Sequence, residues 1–123
     1  MSPIIIAGTI QVDPQRRDAA VAAAEPYITG ARSQPGCLEY SFCVDTTRPG
    51  TIVVLERWAD EDALRSHFAG PHYLAMRDHL GASGLLGAEV AKHRVELSEP
   101  VYDATGVPRP DFVTAPGAAA AQA

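Results

Sequence analysis

The chain has 123 residues, the size of one ordinary domain, and its 46% hydrophobic and 20% charged residues are a globular composition rather than a disordered one. Ten Lys and Arg against 15 Asp and Glu leave a net charge of −5 with no basic block, which argues against nucleic acid as a partner and against polybasic membrane binding. No apolar run approaches the width of a bilayer, and Met1-Ser2-Pro3 lacks the basic start of a secretory signal, so no membrane partner is expected and the expected address is cytoplasmic.

Ile4, Ile6, Gly8, Ile10 and Val12 alternate with their neighbours, which predicts a first strand. Asp13-Pro14 reads as a helix cap followed by proline at the first helical position. Val21, Ala24, Ile28 and Ala31 then recur at helical spacing, predicting a helix from about Pro14 to Arg32, kinked at Pro26 and ended by Gln34-Pro35-Gly36. Leu38, Tyr40, Phe42 and Val44 alternate with polar residues as a second strand. Thr46 to Gly50 is turn chemistry, and Thr51 to Trp58 is a third strand, closing a hairpin over 38–58. Asp60 caps a short helix through Ala69, Gly70-Pro71 breaks it, and a further helix covers about His72 to Leu80. Gly81, Gly84 and Gly87 read as a linker. Ala88 to Glu99 reads as the last strand, with Ala91, His93, Val95 and Leu97 on one face and Lys92, Arg94 and Glu96 on the other.

The order β-α-β-β-α-β is the ferredoxin-like pattern of an α+β fold: a four-stranded antiparallel sheet with helices on one face. The bare face of such a sheet invites a homodimer through the sheet. Residues 1–103 read as this domain and 104–123 as an extended arm with an Ala- and Pro-rich tail, which Tyr102, Val107 and Phe112 would pin to a surface, or which is a mobile C-terminus. Cys37 and Cys43 fall on one strand about 20 Å apart, beyond disulfide reach, and two free thiols suit a reducing compartment.

No phosphate-binding glycine loop, dinucleotide fingerprint, zinc motif or nucleophile elbow is present in the sequence, so no cofactor is expected and any chemistry must come from scattered side chains. The densest group of these runs from Glu56 to His79. Glu56 and Trp58 share a face of the third strand with Ile52 and Val54. His67 lies beside Ala63, Leu64 and Phe68 and faces inward. His72, Met76 and His79 share a face of the following helix. Three of the four histidines thus fall within residues 67–79. Each residue also has a plainer reading: His67 as a hydrogen-bonded core histidine, His72 as a brace of the Gly-Pro turn, His79 as solvated, His93 as packed on the last strand, Trp58 as packing. Glu56 is less ordinary, because a buried carboxylate needs a partner or a raised pKa, and Arg57 points to the other face. A metal on His67 and His72 is disfavoured, since their spacing crosses a helix break and offers no third ligand.

The series Pro35-Gly36-Cys37-Leu38-Glu39-Tyr40, then Val53-Val54-Leu55-Glu56-Arg57-Trp58-Ala59-Asp60-Glu61-Asp62-Ala63-Leu64, then Ser66 and His67, then Pro71-His72, resembles the antibiotic biosynthesis monooxygenase family over about residues 4–99. The resemblance implies a dimeric α+β barrel with a pocket between sheet and helices in each subunit. Among such proteins some oxygenate quinols or polycyclic aromatics without metal or flavin, some degrade haem, and some isomerise small phosphorylated sugars. Haem degradation is disfavoured: Ala7 or Thr9 stands where such members carry Asn, His67 where they carry Trp, and Arg77 near their ligating His, with His79 two residues away. The expected function is therefore a cofactor-independent monooxygenase acting on a small aromatic substrate and O2. His67 and His72 are the candidate catalytic bases, and Tyr40, Phe42, Glu56, Trp58, Phe68, Tyr73 and Met76 the candidate substrate-binding residues. The rival readings are an isomerase in the same pocket and a non-enzymatic dimeric ligand-binding domain.

Overall fold

In the computed structural model, residues 2–114 are described. The elements in chain order are β1 (Ile4–Val12), α1 (Arg17–Ala23), α2 (Glu25–Arg32), β2 (Cys37–Val44), β3 (Thr51–Trp58), α3 (Glu61–Ala69), α4 (Pro71–Ala82) and β4 (Leu85–Arg94). The strands form one antiparallel sheet in the order β2-β3-β1-β4. This is the expected ferredoxin-like α+β fold. Register aligns the inward side chains in rows: Ile4 opposite Trp58, Ile6 opposite Glu56, Ile10 opposite Ile52. Tyr40 extends the Ile6–Glu56 row onto β2, and Phe42 lies opposite Val54 in the row of Gly8. Together with Val12, Ala24, Ala31, Val54, Leu64, Met76 and Leu80 they form the core under the helices.

The predicted long helix is instead two. Pro26 has no N–H to give the carbonyl of Ala22, and its ring crowds that carbonyl, so the helix stops at Ala23 and restarts at Glu25. Its start also moves. Asp13 Oδ1 accepts the Gln15 N–H in a local turn rather than capping the helix, which begins only at Arg17. Asp60 does cap α3, accepting the Ala63 N–H at 2.8 Å.

The last strand is displaced towards the N-terminus from the predicted Ala88–Glu99. Gly81 continues α4, Gly84 makes the turn at φ +81°, and Gly87 lies within β4. The far end is set by the partner: β1 begins at Ile4, opposite Arg94, and after one more bond from Val95 N–H to Pro3 O there is no strand left to pair with. Beyond it, residues 101–109 form a small antiparallel turn, in which the Asp103 carboxylate accepts N–H groups from Thr105 and Val107. The tail past residue 114 lies outside the described residues.

Gly36 explains the Pro-Gly pair before β2. It sits at φ +82°, and a Cβ there would lie 2.5 Å from the Ala63 Cβ, so α3 docks on bare backbone. Gly36→Ala is expected to destabilise the chain by about 2 kcal/mol, a fall of roughly 10 °C in Tm. Gly81→Ala, in a helix with nothing within 4 Å of the new methyl, is expected to stabilise by about 0.5–1 kcal/mol. Thermal melts of the two variants check both signs.

Candidate active site

β3 places Glu56 and Trp58 two residues apart on the buried side of the sheet, where the Trp58 Nε1–H donates to Glu56 Oε1 at 3.0 Å. The indole needs an acceptor once buried, and the carboxylate needs a donor. No cation among the described residues offsets its charge, and burial pushes the Glu56 carboxyl above its ordinary range, with the Trp58 hydrogen bond opposing the shift only in part.

His67 enters from α3. Leu64 and His67 are the two residues this helix buries, and His67 is only 1% exposed. Its ring is stacked on Trp58 at 4.4 Å between centroids and 31° between planes. Tyr40 and Tyr73 meet the same ring edge-on at 5.4 and 5.7 Å, and Phe68 lies at 5.8 Å. His67 Nδ1 is 2.7 Å from Gln34 Oε1. Nε2 has no hydrogen-bond partner among the described residues. Burial, and secondarily the nearby His72, hold the imidazole neutral, with a pKa lowered to about 4. Burial also raises the Tyr40 phenol, helped by Glu56, and raises the Cys37 thiol.

Six candidates, Tyr40, Glu56, Trp58, His67, Phe68 and Tyr73, therefore form one contiguous cluster. Phe42 joins it through Tyr40 at 5.2 Å, and Met76 is buried in the adjoining core. Phe68 and Tyr73, stacked edge-to-face at 5.1 Å, are its outer members, and Phe68 is exposed. His72 is half-buried over α2, so close that a Cβ on Gly30 would overlap its ring. His79 is not solvated as expected: its Nε2 bonds the Ala20 carbonyl at 2.8 Å and its ring lies 5.3 Å from Tyr27. His93 is exposed on the bare side of β4 rather than packed. Lys92 and Arg94 project to the helix side, in register with Ile6 and Ile4, yet remain exposed.

Two features escaped the sequence reading. Gln34 is one, since nothing local marks a turn residue as the partner of a side chain 33 positions away. The other is a groove of about 390 Å³ between the first two helices and β2, floored by Val21, Ile28 and Phe42 and rimmed by Glu25, Arg32 and Ser41. No group of three or more His, Cys, Asp or Glu side chains converges as a metal site would among the described residues. No helix among them is long and apolar enough to cross a membrane.

Opposite pKa shifts give opposite stability slopes. His67 binds its proton less tightly folded than unfolded, so stability falls as pH drops from about 6.5 towards 4, by on the order of 3 kcal/mol in all. His67→Phe should flatten that limb in a series of melts. Glu56 holds its proton more tightly folded, so its effect is a loss of stability as pH rises past the ordinary carboxylate range. Glu56→Gln, which still accepts from Trp58, should raise Tm at pH 8 and change it little at pH 4.

Comparison with known proteins places the chain in a family. The model of the family described as antibiotic biosynthesis monooxygenase matches residues 3–79, more than half of the chain. YcnE of Bacillus subtilis, which carries a provisional name as a monooxygenase, is 30% identical over 98 residues, covering 78% of this chain and 99% of its own. An uncharacterised protein of Synechocystis, sll1783, is 37% identical over 71 residues, or 58% of this chain; the match spans only 48% of that longer relative. The solved structure of Rv0793 from Mycobacterium tuberculosis superposes with a TM-score of 0.67 at 28% identity, over 79% of this chain and 97% of that one. The chain belongs to the antibiotic biosynthesis monooxygenase family.

Proposed function

We propose that this protein is a cofactor-independent monooxygenase that oxidises a quinol or polycyclic phenolic substrate, with His67 as the base. One observation carries the reading: a buried, neutral imidazole sits in an aromatic cluster with one nitrogen tied to Gln34 and the other left without a partner among the described residues. Nε2 takes the substrate's acidic proton. The resulting anion is electron-rich enough to reduce O2 itself, so neither metal nor flavin is called for. For an anthrone-type substrate the balance closes as one ring methylene plus one O2 giving one ketone carbonyl and one water. The methylene carbon loses both hydrogens and supplies four electrons. One oxygen atom stays on that carbon, and the base returns its proton to the other as it departs.

A base with a pKa near 4 is weak in the empty site, but the anion it creates alters that. An imidazolium and a phenolate about 4 Å apart attract by roughly 4 kcal/mol at an effective dielectric of about 20, worth about three pKa units. For a phenol with a pKa of about 10 this recovers roughly half of the gap to His67, so the anion forms as a transient, uphill species and only with substrate in place. Tyr40 and Trp58 wall the reacting ring, Phe68 and Tyr73 line the approach, Phe42 and Met76 keep water out, and Glu56 binds a substrate hydroxyl. His72, beside His67, is the second candidate base.

The working unit is a homodimer formed through the uncovered sheet face, supported by Ile5, Ala7, Val53, Leu55 and Ala91, which share that side. Val53 and Leu55 are about two-fifths exposed in the isolated chain. The free thiols Cys37 and Cys43 support a reducing, cytoplasmic setting.

Oxygen uptake by the metal-free protein, measured against a panel of quinols and anthrones, tests the activity. His67→Ala should lower kcat by about 10²-fold or more with the fold intact by circular dichroism. In the wild type kcat/KM should hold to about pH 5 and fall through about pH 4 as His67 protonates. Loss of activity in His72→Ala alone would transfer the base to His72, and protein-independent uptake throughout would refute the oxygenase reading. Leu55→Arg should turn a dimer into a monomer in sedimentation equilibrium, and an unchanged mass would exclude this face as the interface.

A further inference from the structure

We propose that Gln34 is a positioning residue that decides which nitrogen of His67 is free to act as a base; the proposal rests on the assignment of His67 above, but its central test needs no substrate. Gln34 lies in the turn between α2 and β2, half-buried, with its backbone fixed at both ends. Its N–H donates to the Ala31 carbonyl and its carbonyl accepts from the Cys37 N–H, each at 3.1 Å. Its side chain reaches across to α3 and sets Oε1 2.7 Å from His67 Nδ1.

An amide oxygen only accepts, so the proton of the neutral imidazole sits on Nδ1 and the lone pair on Nε2. The surroundings of the amide fix its orientation. The point from which a Gly70 side chain would grow lies 3.4 Å from Gln34 Nε2, 3.2 Å from the Ser66 carbonyl oxygen and 3.5 Å from that of His67. Gln34 Nε2 and these two oxygens thus border the same small space beside Gly70, at the carbonyl end of α3, where the helix dipole is negative and a second carbonyl oxygen would be repelled. That leaves the amide oxygen for the ring. Free histidine in water prefers the opposite tautomer, with the proton on Nε2. A single buried hydrogen bond is enough to invert that preference by about tenfold. Without Gln34 the proton would move to Nε2, the tautomer that free imidazole prefers, and the base would be lost although His67 was present.

The experiment is long-range 1H–15N correlation on the histidine rings at pH 7, in the wild type, Gln34→Leu and Gln34→Glu. The wild type should show His67 protonated at Nδ1. Gln34→Leu should shift it to mainly Nε2–H and lower kcat for oxygen uptake about tenfold with KM and Tm nearly unchanged, a split that a merely structural contact would not give. Gln34→Glu, whose carboxylate accepts the same bond, should keep the Nδ1–H form. A wild type with the proton on Nε2, or a Gln34→Leu variant that retains Nδ1–H, overturns the proposal. The two readings fail separately. The expected tautomers without oxygen uptake would sink the oxygenase and leave the positioning role standing. Uptake with an Nε2–H ring would sink the positioning role alone. Should Gln34→Leu not fold, the wild-type and Gln34→Glu spectra still decide.

Discussion

The helices of this chain cover three strands of a four-stranded sheet. β4 is hydrogen-bonded to β1 from Leu85 to Arg94, yet all ten of its residues are exposed, on the helix side as well as the bare side. Much else follows from that mismatch. β1 must carry the core alone on its side of the sheet, which is why Ile4, Ile6, Ile10 and Val12 are all buried while Val90, Lys92 and Arg94, in the neighbouring strand and on the same face, are not. It also leaves an open flank next to the apolar outer face, and the segment after β4 departs from there with Val101, Tyr102 and Phe112 uncovered. A chain built this way holds more apolar surface than one copy can bury.

The same economy of covering elements shapes the site. Trp58 is fully buried at the end of β3, and Glu56 accepts from its indole. Satisfying the indole therefore draws a carboxyl group into the core, where no Arg or Lys follows it. His67 closes over the indole from α3 and is desolvated in turn. One burial event raises an acid and depresses a base within the same cluster, so that both groups favour their uncharged forms. Groups pushed towards their uncharged forms in an aromatic surrounding suit a reaction in which charge appears only transiently. The bond to Gln34 then gives direction to a ring that stacking alone would leave free to choose its tautomer.

What is readable in the sequence is whatever depends on neighbours close in the chain. Alternation along β1, β2 and β3, the Asp60 cap and the inward turn of His67 at helical spacing from Leu64 are local facts, and they place most of the aromatic cluster. Residues whose roles depend on distant partners are hidden. β4 slides because its ends are set by Ile4 and Pro3, at the far end of the chain. Gln34 resembles turn punctuation because its target lies on α3. His79 reads as solvated because the carbonyl it binds, on Ala20, is exposed for capture only where Pro26 has broken the helix layer into two short pieces. The Pro26 break itself reads as a bend; the missing N–H and the crowded Ala22 carbonyl make it an interruption.

Trp58 is the chain's single tryptophan. It is stacked on His67, bonded to Glu56 and shielded from solvent. An imidazolium quenches indole emission on contact far more strongly than a neutral imidazole does, and a change of charge on the carboxyl shifts the emission of an indole bonded to it. The protein therefore contains an optical sensor at the centre of its aromatic cluster. Its intrinsic fluorescence reads the protonation of both titratable neighbours, and the arrival of any aromatic ring beside them, with no label and no second tryptophan to confuse the signal.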